Sequence, residues 1–143
     1  MQERRMNKAM NPKVTLMTPV YNAMPFFKEY LESVLKQTYR PLEFICVDDG
    51  STDESYDYLL SMIPSFKRAG IELKFDTISH QDQSFAINHA LSRVTGDYLT
   101  WCDADDELDS QSIVSQKNTT ENMRICLMRC SETKATALPV LIC

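Results

Sequence analysis

Long apolar runs are missing from this chain of 143 residues. Nothing approaches the roughly 20 consecutive apolar residues that span a bilayer, so no transmembrane helix is expected. The opening "MQERRMNKAMNPK" is polar and lacks the apolar centre of a secretion signal. Positive charge is also short: 15 Lys and Arg stand against 20 Asp and Glu, a net charge of −5. That argues against nucleic acid as a ligand, because nucleic-acid binders of this size are usually basic. A small phosphate ester stays open to an acidic protein when a divalent cation mediates. Glycine numbers only three, and "TPVYNAMP" (18–25) has none. This disfavours the glycine-lined turn that lets backbone approach a dinucleotide's pyrophosphate. Internal repeats and low-complexity segments are absent.

What is present suits one globular domain. Hydrophobic residues make up 43% and charged residues 24%, enough to bury a core at this length. Five cysteines without a secretion signal point to reduced thiols and a cytoplasmic chain. Cys46 and Cys102 lie in strand-like runs and read as small buried hydrophobes. Cys126 and Cys130 offer only half a zinc site, with neither His80 nor His89 near them in sequence, and no metal is assigned there.

Strand-like and helix-like stretches alternate. "KVTLMTPV" (13–20) reads as a first strand. "PFFKEYLESVLKQT" (25–38) places Phe27, Leu31, Val34 and Leu35 at helical spacing, with Pro25 in the first turn. "PLEFICV" (41–47) is a second, buried strand. "STDE" (51–54) matches a capping box ahead of a helix presenting Tyr56, Leu59, Leu60 and Ile63, which Pro64 ends or kinks. A third strand spans 71–79. A third helix (84–94) turns Ile87, Leu91 and Val94 inward, Gly96 stops it, and "DYLTWC" (97–102) is the fourth strand. The pattern predicts an α/β fold with an open, mainly parallel sheet flanked by helices.

Three polar clusters close three of these strands: "TPVYN" (18–22), "VDDGST" (47–52) and "DADD" (103–106). In an open parallel sheet the carboxyl ends of the strands converge on one crevice, so distance along the chain is no obstacle. "VDDGST" alone also fits a strand-to-helix turn, with Asp48, Ser51 or Asp53 satisfying free amides. Asp49 as an acceptor-only carboxylate suits the ring N–H of a nucleobase. From Asp103 to Asp109 there are five acids in seven residues, a crowding that either water or a cation must relieve. A hard divalent ion such as Mg²⁺ or Mn²⁺ takes oxygen ligands and keeps places for diphosphate oxygens. Glu107 and Asp109 read instead as helix-start or surface charges.

Residues 13–55 together with "DQSFAINHALSRVTGDYLTWCDADD" (82–106) resemble family 2 glycosyltransferases of the GT-A fold. The likeness covers roughly 13–109 and keeps the family's motif order. It implies inverting, metal-dependent transfer of a sugar from a nucleotide-sugar donor of UDP type. The acceptor would be a saccharide or a lipid-linked sugar, within polysaccharide biosynthesis. By position, the resemblance puts Pro19, Val20 and Tyr21 against the nucleotide, with Tyr21 stacked on the base and Asp49 paired to it. Asp105 becomes the metal ligand, and Asp103 its partner on the ribose side. Asp82, Gln83 and Asn88 face the donor, although Ser84 and Ala90 stand where the family pattern has glycines. For Asn88 a structural tie between helix and sheet is the alternative.

The expected layout is a polar extension (1–12), a nucleotide-sugar-binding half (13–109) and an atypical tail (110–143) that looks truncated or frame-shifted. After Asp109 the only acids are Glu121 and Glu132, neither in a context resembling a general base, so the catalytic base is unassigned. Peripheral contact with the inner face of a membrane stays open. A non-catalytic nucleotide-binding module is the main rival. A haloacid-dehalogenase-type phosphatase is disfavoured, because the motif comes late and Glu107 stands where Thr or Val is usual. An EF-hand fails because Leu108 and Val114 occupy the loop positions that need Gly and Glu.

Overall fold

The computed structural model describes residues 12–114 and the backbone of 128–129. In order, the elements are β1 (Val14–Val20), α1 (Met24–Leu35), β2 (Leu42–Asp48), α2 (Ser55–Ser61), α3 (Ile63–Ala69), β3 (Glu72–Thr77), α4 (Gln83–Leu91), β4 (Tyr98–Trp101) and β5 (Met128–Arg129). The sheet runs β3-β2-β1-β4-β5. Its first four strands are parallel, and β5 joins β4 antiparallel. The open, mainly parallel α/β sheet expected from the sequence is therefore the one observed.

Both faces of β1 and β2 are covered, which is why those strands read as unbroken apolar runs. Alternate residues split between two cores. Val14, Leu16, Val20, Leu42, Phe44 and Cys46 join Phe27, Tyr30, Leu31 and Val34 of α1, Leu59 of α2 and Phe66 of α3. Met17, Ile45 and Val47 face the other way and meet Ala86, Ile87 and Ala90 of α4, with Leu99 of β4. Leu91 and Val94 pack at the edge of this second core.

The helix expected at 51 onward is split, as Pro64 suggested. α2 ends at Ser61, and Pro64 sits in the first turn of α3. The capping box does not form. Glu54 is the N-cap of α2 without a side-chain bond, and the Ser51 hydroxyl instead accepts the Asn22 amide at 2.9 Å. A tertiary partner has taken the oxygen that local pairing would have used.

The start of the expected tail belongs to the main core. Gln37 donates to the Asp109 carbonyl at 2.6 Å and accepts from the Ile113 amide at 3.2 Å, and Ile113 is fully buried. The rest of the tail, with Glu121, Cys126, Cys130 and Glu132, lies outside the residues whose side chains are described. Among the described residues no helix is long and apolar enough to cross a membrane.

Candidate functional site

Chain order sets the location. β1 leads through α1 to β2 on one side of it, and after β3 the chain returns through α4 to β4 on the other side. Such a reversal opens a crevice beyond the carboxyl ends of the strands. Val20, Asp48 and Thr77 stand level across β1, β2 and β3. The Asp49 amide donates to the Val20 carbonyl (2.7 Å) and the Cys102 amide to the Met17 carbonyl (3.2 Å), carrying the ladder into the loops. A cleft of about 460 Å³ opens there.

Asn22 fixes the loop after β1. It adopts φ +48°, a left-handed conformation that asparagine tolerates better than most residues. Its Oδ1 accepts the Thr52 amide at 2.8 Å and the Asp53 amide at 3.2 Å. Asp53 reciprocates, accepting the Met24 amide at 3.1 Å and the Ser55 amide at 2.9 Å. Burial would raise the Asp53 pKa, but the Ser55 hydroxyl together with these amides outweighs it and holds the carboxyl below its ordinary value. The expected capping role of Asp53 thus extends to a clasp between two loops.

One end of the cleft is aromatic and anionic. Asp49 is buried (4% exposed); its Oδ1 accepts the Gln81 amide at 3.1 Å and its Oδ2 lies 3.2 Å from His80 Nδ1. The imidazole stacks on Tyr21, ring centroids 4.1 Å apart. Gly50 makes the approach possible. At φ +70° it is left-handed, and a Cβ there would stand 2.8 Å from the His80 backbone nitrogen.

The other end is carboxylate-rich. Asp103 Oδ1 accepts from Gln83 Nε2 at 3.0 Å and from Trp101 Nε1 at 3.3 Å. Asp82 caps α4 by accepting the Phe85 amide at 2.8 Å. Asp103, Asp105 and Asp106 each offer an oxygen within 4.8 Å of the others. Two oxygens bound to one ion at roughly 2.0–2.5 Å lie no more than about 5 Å apart, so the three fit a single hard cation. Among the described residues no lysine or arginine pairs with them. Beneath, burial and the acids Asp106, Asp103 and Asp105 push the Cys102 thiol up to about 12. That thiol is inert at neutral pH.

Of the residues singled out in the sequence, Pro19, Val20, Tyr21, Asp49, Asp82, Gln83, Asp103 and Asp105 all line the cleft. Asn88 does not: it is exposed on α4, and its side chain makes no hydrogen bond among the described residues. His80 and Phe26 line the cleft without having been singled out. Phe26 carried a signal, since it sits one place off the α1 stripe of Phe27, Leu31 and Val34 and is 57% exposed. His80 carried none in its neighbours.

Comparison with known proteins adds four findings. The family described as Glycosyl transferase family 2 matches residues 15–125. An uncharacterized glycosyltransferase of Haemophilus influenzae is 35% identical over 107 residues, 75% of this chain and 42% of that protein. Among solved structures, mannosyltransferase PcManGT from Pyrobaculum calidifontis, in complex with GDP-Man and Mn²⁺, aligns with TM-score 0.67 and 26% identity, over 75% of this chain and 32% of that one. S. aureus TarS 1–349 in complex with UDP aligns with TM-score 0.67 over 76% of this chain and 32% of that one; at 23% identity it bears on the fold alone. The chain spans about two fifths of its Haemophilus relative.

Proposed function

The chain belongs to glycosyl transferase family 2, and from that premise we propose that it forms the donor-binding part of a metal-dependent, inverting transferase. The donor is a nucleotide-sugar of UDP type, the acceptor a saccharide or lipid-linked sugar, and the setting polysaccharide biosynthesis at the cytoplasmic side. One observation carries this reading: ends of three strands, far apart in sequence, meet in one cleft with Tyr21 and Asp49 at one end and Asp103 and Asp105 at the other. PcManGT was solved with GDP-Man and Mn²⁺, which supports the pairing of a nucleotide-sugar with a cation.

Each residue has a role that its surroundings fit. Tyr21, half-exposed, offers a flat face to the base. Asp49, acceptor-only and buried, selects a ring N–H. Asp105 would hold Mn²⁺ or Mg²⁺, with Asp106 beside it. Asp103, fixed by Gln83 and Trp101, keeps Oδ2 for the same ion or for ribose hydroxyls. A bound cation there supplies neutralisation of the leaving diphosphate.

A non-catalytic nucleotide-binding module is the second reading, and the cleft itself favours it in one respect. Its carboxylates are all engaged or assigned: Asp49 to His80 and Gln81, Asp82 to α4, Asp103 and Asp105 to the cation. Among the carboxylates that line the cleft none is left to deprotonate an acceptor hydroxyl, as an inverting displacement requires. Calorimetry with UDP and Mn²⁺, run beside a sugar-nucleotide turnover assay, separates the two. Binding with turnover supports the transferase, binding alone the module, and absence of UDP binding rejects both.

A further inference from the structure

Tyr21 and Asp49, the two residues assigned to the base, share one partner. The His80 ring lies on Tyr21 at 4.1 Å with 19° between planes. Its Nδ1 is 3.2 Å from Asp49 Oδ2 and 3.1 Å from the Asp49 carbonyl oxygen. Both oxygens only accept, so Nδ1 carries the proton and donates. A flat heteroaromatic ring resting on Tyr21, with a ring N–H aimed at Asp49, is also how a bound base would sit. Resting on the reading of the cleft as a nucleotide site, we propose that His80 occupies the base subsite as an internal surrogate, and that nucleotide binds by displacing its imidazole.

The surroundings suit a side chain that leaves while its backbone stays. On one side the Gln81 amide is tied to Asp49 Oδ1 at 3.1 Å. On the other, the missing Cβ of Gly50 lets the His80 backbone nitrogen pack where a Cβ would stand at 2.8 Å. The His80 side chain itself is 53% exposed, against 5% for that of Asp49. Rotation about its side-chain bonds therefore moves the imidazole into water without opening the core. Two rings in stacking contact leave no gap for a third between them, so a base reaches this face of Tyr21 only after His80 has gone.

The exchange also restricts the ligand. Asp49 Oδ2 is buried and loses a donor when His80 leaves, and an unsatisfied buried carboxylate is costly. Uracil and guanine restore a ring N–H beside a carbonyl; the neutral rings of adenine and cytosine have none. UDP- and GDP-type ligands therefore displace the histidine, whereas ADP and CDP compete poorly.

Calorimetry of the full chain with UDP at fixed Mn²⁺, for wild type and His80→Ala, tests this. Removing the competing ring raises the population of open subsite, and the variant is expected to bind UDP about 3- to 10-fold more tightly. Equal or weaker binding by the variant, with wild type binding normally, overturns the surrogate role and leaves the nucleotide site standing. Failure of both proteins to bind UDP overturns the two together. A second readout needs no variant. His80 ring-proton resonances are shielded by Tyr21 in the free protein and return to unshielded positions when UDP saturates the site; shielding that persists at saturation contradicts displacement.

Discussion

Replacing Glu43 by Gln should cost about 3 kcal/mol of stability at pH 7, although Glu43 lies at the amino ends of the strands, away from the cleft. Glu43 is fully buried in β2. Its carboxylate accepts from Thr15 Oγ1 of β1 at 2.5 Å, from the Thr95 amide and hydroxyl at 3.0 and 2.8 Å ahead of β4, and from the Lys74 ammonium of β3. One side chain thus holds all four parallel strands in register, and with them the loops at their far ends. Burial alone would raise the pKa; Lys74, Thr15 and Thr95 overcome that and bring it down from 4.5 to about 2. At about 1.36 kcal/mol per pH unit, that gap makes the ionised network worth about 3 kcal/mol. Glutamine mimics the neutral acid, so it forfeits this amount. Because the folded pKa is depressed, the stabilisation is complete above the unfolded value of 4.5 and is lost as pH falls toward 2. The difference between wild type and variant should shrink to about 2 kcal/mol at pH 3.5 and under about 1 kcal/mol at pH 2.5. Urea unfolding followed by the fluorescence of Trp101, the single tryptophan, measures it. A difference below about 0.5 kcal/mol at pH 7, or one that does not change with pH, refutes the reasoning.

Other perturbations act at the cleft. Asp105→Asn should abolish the metal-dependent part of UDP binding in calorimetry, and because Asp105 is exposed its unfolding free energy should stay within about 0.5 kcal/mol of wild type. Asp49→Ala should weaken UDP about 10- to 100-fold, the worth of a hydrogen bond to a charged group, while a sugar phosphate lacking a base is unaffected; equal weakening of both rejects the base contact. Gly50→Ala should destabilise the fold by about 1–2 kcal/mol through its left-handed backbone, with more from the clash against His80, and a thermal melt unchanged from wild type counts against the loop geometry.

The centre of the sheet was readable because β1 and β2 are buried on two faces and the helices on one. The apolar run of "KVTLMTPV" and the stripe Phe27, Leu31 and Val34 can hardly be satisfied by other elements. Parallel strands then bring their carboxyl ends together, so the convergence of "TPVYN", "VDDGST" and "DADD" followed from topology. Four features did not follow. The Ser51 capping box failed because Asn22, from another loop, took that hydroxyl, and local patterns do not register a competing tertiary partner. Asn88 faces away because α4 spends its inward positions on Ala86, Ile87 and Ala90. His80 and Glu43 were invisible for a shared reason: each is defined by what it touches across the sheet or cleft, Tyr21 and Asp49 for one, Lys74 and Thr95 for the other, and nothing in the adjacent residues announces either.

Soaking a crystal of the chain in UDP and Mn²⁺ and locating the ion by its anomalous scattering tests the central claim most directly. The predicted map has one manganese held by Asp105 and Asp103 against the diphosphate, with uracil on Tyr21 where the His80 imidazole had been. A diphosphate bound without manganese beside these carboxylates, or manganese bound away from the cleft, would contradict it.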